Sequence, residues 1–141
     1  MTFLSSEKYR TRVHRVIAKP LDGEAVAFGA LVLHGTPPSL NNIFVNGKKG
    51  RFKSSGYKTW QVRACMQLRR QSGWHVPGRV EIKLAFNRSE TRCDIDNLIK
   101  PVLDILMASG RIADDRNVMK VEAAFEKGVT GTRIEIRSAT Q

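Results

Sequence analysis

The sequence has few residues of the kinds that indicate a membrane-spanning, secreted or zinc-binding protein. No apolar run approaches the roughly 20 residues that a transmembrane helix needs. Residues 1–10 lack the apolar segment of a signal peptide. The two cysteines, Cys65 and Cys93, are far apart in sequence and have no histidine close to them, which excludes a disulfide framework and a zinc finger. These absences predict a cytoplasmic protein in a reducing environment.

Acidic residues are scarce as well. The 141 residues include 24 Lys and Arg but 13 Asp and Glu, a formal net charge of +11, and no acidic residue occurs between Glu24 and Glu81. Such a charge favours a polyanionic partner, with nucleic acid first and an anionic membrane second. The alternative is a solvated face, but such faces usually mix both signs. The basic residues of this interval that we predict to bind DNA are Lys48, Lys49, Arg51, Lys53, Arg69 and Arg70.

The hydrophobic pattern predicts one α+β domain at residues 24–141, preceded by a basic N-terminal extension at residues 1–23. Strands are predicted near residues 11–15, 25–33, 79–87, 118–126 and 132–137, and helices near 55–71 and 97–109. The order is β-β-α-β-α-β-β, a small mixed β-sheet with two helices packed on it and hairpins at both ends. Residues 43–53 are predicted to form a further hairpin or a mobile loop.

Five of the six aspartates lie in one short stretch of this basic chain. Asp94 and Asp96 stand at a strand-to-helix corner, where an extended backbone would put both carboxylates on one side. Asp96, Lys100 and Asp104 recur at helical spacing, and Asp114–Asp115 occupies the turn after the helix. Hard divalent cations prefer carboxylate ligands. The cluster therefore predicts metal-assisted phosphodiester hydrolysis, with a nearby lysine to stabilise negative charge.

Each of these residues also has a simpler structural interpretation. Asp96 could cap the second helix, Lys100 and Asp104 could form an exposed ion pair, and Asp114–Asp115 could form a turn. An EF-hand is excluded because apolar residues stand where its loop needs a ligand and a glycine. Three functions remain open: a metal-dependent DNA endonuclease, a non-catalytic nucleic-acid-binding protein, and a metal-dependent RNase.

The acidic stretch resembles the RusA family of Holliday-junction resolvases. The residues that carry the resemblance are Asp94-Ile95-Asp96-Asn97-Leu98-Ile99-Lys100, followed by Leu103-Asp104, Gly110 and Asp114–Asp115. Pro37-Pro38-Ser39-Leu40-Asn41 looks like an early loop of that family, and the two matches frame residues 30–137. The resemblance implies a homodimer that cuts four-way junction DNA with Mg²⁺ or Mn²⁺. It implies neither a membrane partner nor a small-molecule substrate, and it places the protein in a bacterial or phage-infected host cytoplasm, near the nucleoid.

The resemblance also implies roles for individual residues. Asp94, Asp96 and Asp115 would hold the metal and share in catalysis, and Lys100 would be the catalytic lysine. Three further residues, Asn41, Asn97 and Asp114, are candidates for support of the site. Cys93 stands where the family often has a basic residue, and residues 1–23 take no function from the resemblance.

Overall fold

The structure is a computed structural model that describes residues 23–39, 44–47, 50–53 and 55–139, with the backbone alone described at 44–47 and 50–53. The predicted strand at residues 11–15 and nearly all of the predicted N-terminal extension lie outside these residues. The domain boundary at residue 24 therefore stays a prediction.

The elements confirm the α+β class, with two α-helices and mixed sheets in the described chain. The strands are β1 (Glu24–Ala25), β2 (Phe28–Leu33), β3 (Phe44–Gly47), β4 (Gly50–Lys53), β5 (Trp74–His75), β6 (Val80–Phe86), β7 (Val118–Phe125) and β8 (Thr132–Ser138), and the helices are α1 (Ser55–Arg69) and α2 (Asp96–Ala108). Short 3₁₀ helices at Arg88–Glu90 and Asp115–Asn117 follow β6 and precede β7. β3 and β4 form the hairpin predicted at residues 43–53, whereas the short parallel pair of β1 and β5 was not predicted.

The main sheet has the strand order β2-β8-β6-β7. β6 and β7 run parallel, so they need a crossover connection, and α2 supplies it. β8 pairs antiparallel with both β2 and β6. The predicted C-terminal hairpin is therefore wrong, because β6 lies between β7 and β8. The α2 crossover places β7 on one side of β6, and β8 takes the other side.

Both helices pack on one face of this sheet. The buried core residues are Leu31, Leu33, Ala64, Cys65, Leu68, Val76, Val80, Ile82, Leu84, Phe86, Leu98, Val102, Ile105, Leu106, Met107, Ala108, Ile112, Ile134 and Ile136. Neither α1 nor α2, the α-helices of the described chain, is long and apolar enough to cross a membrane.

The edge strands explain two differences from the predicted strands. In β2, Leu31 and Leu33 face the helices but Phe28 and Val32 are 56% and 47% exposed. The near-continuous apolar run at residues 25–33 predicts a buried strand, but β2 is half-buried because the helices cover one face of the sheet alone. The alternation of residues 118–126 predicts that Met119 shares one face with Val121, Ala123 and Phe125. In β7, however, a bulge makes Met119 an extra residue that is 49% exposed.

Arg111 and two glutamines fix α1 against the rest of the fold. Gln71, just after α1, bonds through its side-chain amide to the N–H and C=O of Val32 at 2.9 and 2.7 Å, which covers part of the free edge of β2. Gln67 accepts a hydrogen bond of 2.9 Å from the His34 amide. Arg111 is 3% exposed and donates to the main-chain carbonyls of Leu68, Gln71 and Trp74. Its guanidinium thereby satisfies carbonyls at the C-terminal end of α1, where a cation is favourable.

The sheet face away from the helices, here called the outer face, carries balanced charge. Four cations and four anions lie on it or at its rim: Lys83, Lys120, Arg133, Arg137, Glu81, Glu122, Glu126 and Glu135. Arg137 pairs with Glu81 on the neighbouring strand at 2.7 Å, and Arg133 pairs with Glu126, just after β7, at 2.6 Å. α1, by contrast, contains basic residues and no acidic one.

Candidate active site

Lys100 on α2 lies between two carboxylates. Its ammonium nitrogen Nζ is 2.8 Å from Asp115 Oδ2 and 3.1 Å from Asp104 Oδ1. Asp104 is one helical turn along α2, whereas Asp115 belongs to the short helix that precedes β7. The crossover therefore returns the chain to Lys100. The sequence did not predict this contact, and the structure shows that it joins α2 to the segment before β7.

The surroundings keep Lys100 positively charged. Its side chain is 47% exposed, and those of Asp104 and Asp115 are 19% and 23% exposed. Burial alone would lower the pKa of the Lys100 ammonium, but its hydrogen bonds to Asp115 and Asp104 outweigh burial and raise that pKa. A lysine with a raised pKa is a poor general base at neutral pH. Lys100 is instead suited to orient or stabilise negative charge.

Asp104 has a second partner, on α1. Its other oxygen, Oδ2, accepts a hydrogen bond of 3.3 Å from the Tyr57 hydroxyl, and that hydroxyl accepts one of 3.3 Å from Gln61 Nε2. Tyr57 and Gln61 are 2% and 3% exposed. Helical spacing correctly placed both on the buried face of α1. It carried no signal that the hydroxyl meets Asp104, because this contact depends on how α1 packs against α2.

Asp94 and Asp96 are exposed at the start of α2, but the corner between them is not extended. Ile95 has helical φ and ψ of −61° and −34°, and the amide of Asn97 bonds to the carbonyl of Asp94. Residues two apart in a helical turn do not share a face, so the predicted common side is wrong. The capping interpretation of Asp96 is also wrong, because Asp96 is the first helical residue and Ile95 is the cap. Its charge lies at the positive end of the helix.

Asp114 and Asp115 have different surroundings. Asp114 caps the 3₁₀ helix, accepting a hydrogen bond from the Arg116 amide at 3.0 Å and pairing with the Arg116 guanidinium at 3.2 Å. Burial alone would raise the pKa of Asp114, but the hydrogen bond from the Arg116 amide, a hydrogen bond with Asp115 and the Arg116 guanidinium outweigh burial and lower that pKa to about 2. The turn-forming interpretation therefore holds for Asp114, while Asp115 contacts Lys100.

The turn that leads from β6 to Asp94 is held by Arg88. Its guanidinium donates to the carbonyls of Thr91 and Cys93 at 2.8 and 2.9 Å and lies 4.0 Å from the centre of the Phe125 ring. Cys93 itself is half-buried and packs against the core. The backbone directly before Asp94 is thus fixed by a side chain that sequence reasoning did not single out. In the sequence, Arg88 is an arginine inside a polar turn, and this pattern is too common to indicate a residue that supports a site.

The oxygen donors present are of the type that Mg²⁺ and Mn²⁺ prefer. Across residues 23–39, 44–47, 50–53 and 55–139, no group of three or more His, Cys, Asp or Glu side chains is arranged to hold a metal ion. Asp115 is paired with Lys100 here, and Asp94 and Asp96 do not join it in such a group. The donor chemistry fits a hard cation, and the predicted ligand set stays a prediction.

The other predicted site residues lie on several elements or outside the described residues. Arg69 ends α1 and Arg70 follows it, and both side chains are exposed. Asn97 is half-buried in the first turn of α2. For Arg51 and Lys53, in β4, the backbone alone is described, and Asn41, Lys48 and Lys49 lie outside the described residues. The DNA-binding set therefore stays a prediction.

Comparison with known proteins places this site in a family. A family model described as "Endodeoxyribonuclease RusA" matches residues 34–137, which include Asp94, Lys100, Asp104 and Asp115. The "Crossover junction endodeoxyribonuclease RusA" of Aquifex aeolicus (strain VF5) is 30% identical over 114 residues, which cover 76% of this chain and 89% of that relative. The family match takes in both helices, most of the main sheet and the acidic stretch. The chain therefore belongs to the RusA family of endodeoxyribonucleases.

Proposed function

We propose that this nuclease resolves four-way (Holliday) DNA junctions by paired, metal-dependent hydrolysis of phosphodiesters. Family membership and the name of the Aquifex relative support junction DNA as the substrate. The observation that carries the proposal is the pairing of Lys100 with Asp104 and Asp115. It keeps a cation beside carboxylates contributed by two segments of a strongly basic chain.

The proposal assigns metal binding to Asp94, Asp96 and Asp115. RusA-type nucleases generally depend on a divalent metal, and we propose Mg²⁺, with Mn²⁺ as a substitute. When bound, the metal supplies an activated water and offsets charge on the leaving oxygen. All three carry a carboxylate within a short stretch of sequence, and replacing any of them would remove one anionic ligand.

The remaining residues are proposed to bind the DNA or to orient the groups of the site. Lys100 stabilises negative charge on the scissile phosphate or orients the attacking water. Asp114 holds the turn that carries Asp115, and Arg88 holds the backbone before Asp94. We keep Asn97 and Asn41 as candidate supports of the site. Phosphate contacts are assigned to Lys48, Lys49, Arg51, Lys53, Arg69 and Arg70.

Paired cleavage requires two copies of the site. A four-way junction is close to two-fold symmetric, and this chain carries one acidic stretch. A C2 homodimer would supply two sites through a single interface. Light scattering of the protein with bound junction should give a dimer mass, and a monomer mass would overturn this part of the proposal. Cytoplasmic DNA is the expected substrate.

The test compares cleavage of a four-way junction, a linear duplex and a structured RNA, in Mg²⁺ and in chelator. If the protein resolves junctions, it should make symmetric cuts in the four-way junction but not in the duplex or the RNA, and it should do so in Mg²⁺ but not in chelator. Binding without any cleavage would favour a non-catalytic nucleic-acid-binding protein. Cleavage of the RNA in preference to the junction would favour a metal-dependent RNase.

Asparagine variants test the ligand set. Asp94→Asn, Asp96→Asn and Asp115→Asn should each bind the junction in chelator as well as the wild type or better, because repulsion of phosphate falls. Cleavage in Mg²⁺ should fall by orders of magnitude, since metal and nucleophile lose their placement. Asp104→Asn should lose less, and Glu122→Gln on the outer face is the control. Wild-type cleavage by all three folded variants would contradict the metal assignment.

A further inference from the structure

We propose that Tyr57 is a positioning residue for Lys100 and acts through Asp104. The inference rests on the proposed function in one respect, the role of Lys100 as the catalytic cation. It adds a residue of α1 to a site otherwise built from α2 and the segments that flank it.

The contacts form a continuous series from the core to the site. Gln61 donates to the Tyr57 hydroxyl, which donates to Asp104 Oδ2, while Asp104 Oδ1 lies 3.1 Å from Lys100 Nζ. Both oxygens of Asp104 are thus engaged, one on each side. A carboxylate held at both oxygens has little freedom to rotate, so it offers Lys100 a fixed partner.

Lys100 needs such a partner because its side chain is long and half exposed. A lysine ammonium on a flexible stem has many conformers of similar energy. Contacts with Asp104 and Asp115 select the conformers in which Nζ lies between them. Asp115 is also a proposed metal ligand, so Asp104 is the carboxylate partner of Lys100 that takes no part in the proposed metal site.

Tyr57 is itself placed by a rigid element. Its ring is buried and stacks on Trp60 with 5.8 Å between ring centres. α1 is fastened at its other end by the contacts of Gln71 with β2 and of Arg111 with the last carbonyls. A side chain supported in this way holds its hydroxyl within a narrow range of positions, as precise sites require.

The simpler explanation is that Tyr57 only packs the interface of α1 and α2. A phenylalanine would fill the same volume, and a buried hydroxyl must find some partner. The two explanations differ in what removal of the oxygen does. Loss of packing lowers stability alone, whereas loss of positioning slows cleavage and loosens Lys100 at unchanged affinity for DNA.

The experiment uses Tyr57→Phe and Asp104→Asn, with Thr132→Val as the matched control. Thr132, in β8, is fully buried and donates through its hydroxyl to the Gly35 carbonyl at 2.9 Å. Junction cleavage is measured as kcat and KM in Mg²⁺, and junction affinity in chelator. The order of the Lys100 Cε group is measured by ¹³C relaxation in the metal-free protein, with Lys83 as the internal reference and Lys100→Arg to assign the signal.

Tyr57→Phe should lower kcat about 3- to 10-fold, the scale of one hydrogen bond, with KM and affinity unchanged. Lys100 should lose order in both variants, and Thr132→Val should change neither quantity. Wild-type kcat and wild-type Lys100 order in Tyr57→Phe would overturn the inference. If Tyr57→Phe does not fold, the same two measurements on Asp104→Asn test the residue through which Tyr57 acts, and wild-type values there would overturn the inference. Loss of Lys100 order together with full activity of Lys100→Ala would support the positioning contact and reject the catalytic assignment instead.

Discussion

Replacement of Lys100 by alanine separates a catalytic cation from a structural ion pair. Lys100 is expected to contribute little to the stability of the fold, because its side chain is 47% exposed and solvent reaches its two ion pairs. Exposed pairs contribute about 0.3–1 kcal/mol each, so we expect Lys100→Ala to lower the free energy of unfolding by about 1 kcal/mol. The protein should stay folded at working temperature.

The contribution of Lys100 to the rate of cleavage is expected to be larger than its contribution to stability. Removal of one donor that stabilises charge in a transition state commonly costs about 10²–10³ in rate. Lys100→Ala should therefore lose about 100-fold or more in single-turnover cleavage of the junction. The loss should appear in the rate constant, while affinity in chelator changes little.

The assay pairs urea unfolding with single-turnover cleavage of the same protein samples. Lys120→Ala is the matched control, because Lys120 is similarly exposed, lies 4.0 Å from Glu122 and belongs to the outer face. It should leave both quantities near those of the wild type. If Lys100→Ala unfolds more easily by several kcal/mol but cuts normally once folded, the assignment of Lys100 to chemistry is refuted.

Three further predictions concern DNA binding, acid stability and folding. Replacing Arg69 and Arg70 by alanine should weaken junction binding at all sequences and flatten the slope of log affinity against log salt by about 0.9 for each lost phosphate contact; an unchanged slope would remove them from the interface. The folded pKa of Asp114 is about 2, below the usual 3.8, so its contribution to stability is complete above about pH 4 and is lost as the pH falls towards 2. Acid titrations of wild type and Asp114→Asn should therefore differ in slope within that window, and equal slopes would contradict the shift. Arg111→Met should destabilise the fold by about 3 kcal/mol in urea unfolding, because buried carbonyls lose a charged donor; a loss below about 1 kcal/mol, the scale of an exposed pair, would contradict the capping role.

Local patterns predicted the elements well but not how they pair. Alternation in β6 and helical spacing in α1 and α2 survive in the structure, because each reflects a single buried face. The position of β8 between β2 and β6 depends on long-range strand pairing, to which short patterns are blind. The run at residues 25–33, predicted as one strand, is divided into β1 and β2, because its first residue belongs to a strand that pairs with β5 in a separate sheet.

In the candidate site, too, local contacts were predictable from the sequence and long-range contacts were not. Helical spacing predicted that Lys100 and Asp104 share a face, and they do. The contact of Lys100 with Asp115 depends on the path of the chain between α2 and β7, which the sequence pattern does not reveal. Tyr57 looked like an ordinary core residue, since periodicity records where a side chain points and says nothing about its terminal oxygen. The helical corner at Ile95 was missed because a pair of aspartates two residues apart has no preferred backbone.

The mixed charge of the outer face makes it a poor surface for a polyanion. Its four cations and four anions cancel, and two of the cations, Arg137 and Arg133, are already paired with carboxylates at 2.7 and 2.6 Å. A phosphate backbone that approached this face would feel little net attraction, and it would have to compete with those carboxylates for each cation. Added salt would change this little, because there is little net field at the face for salt to screen.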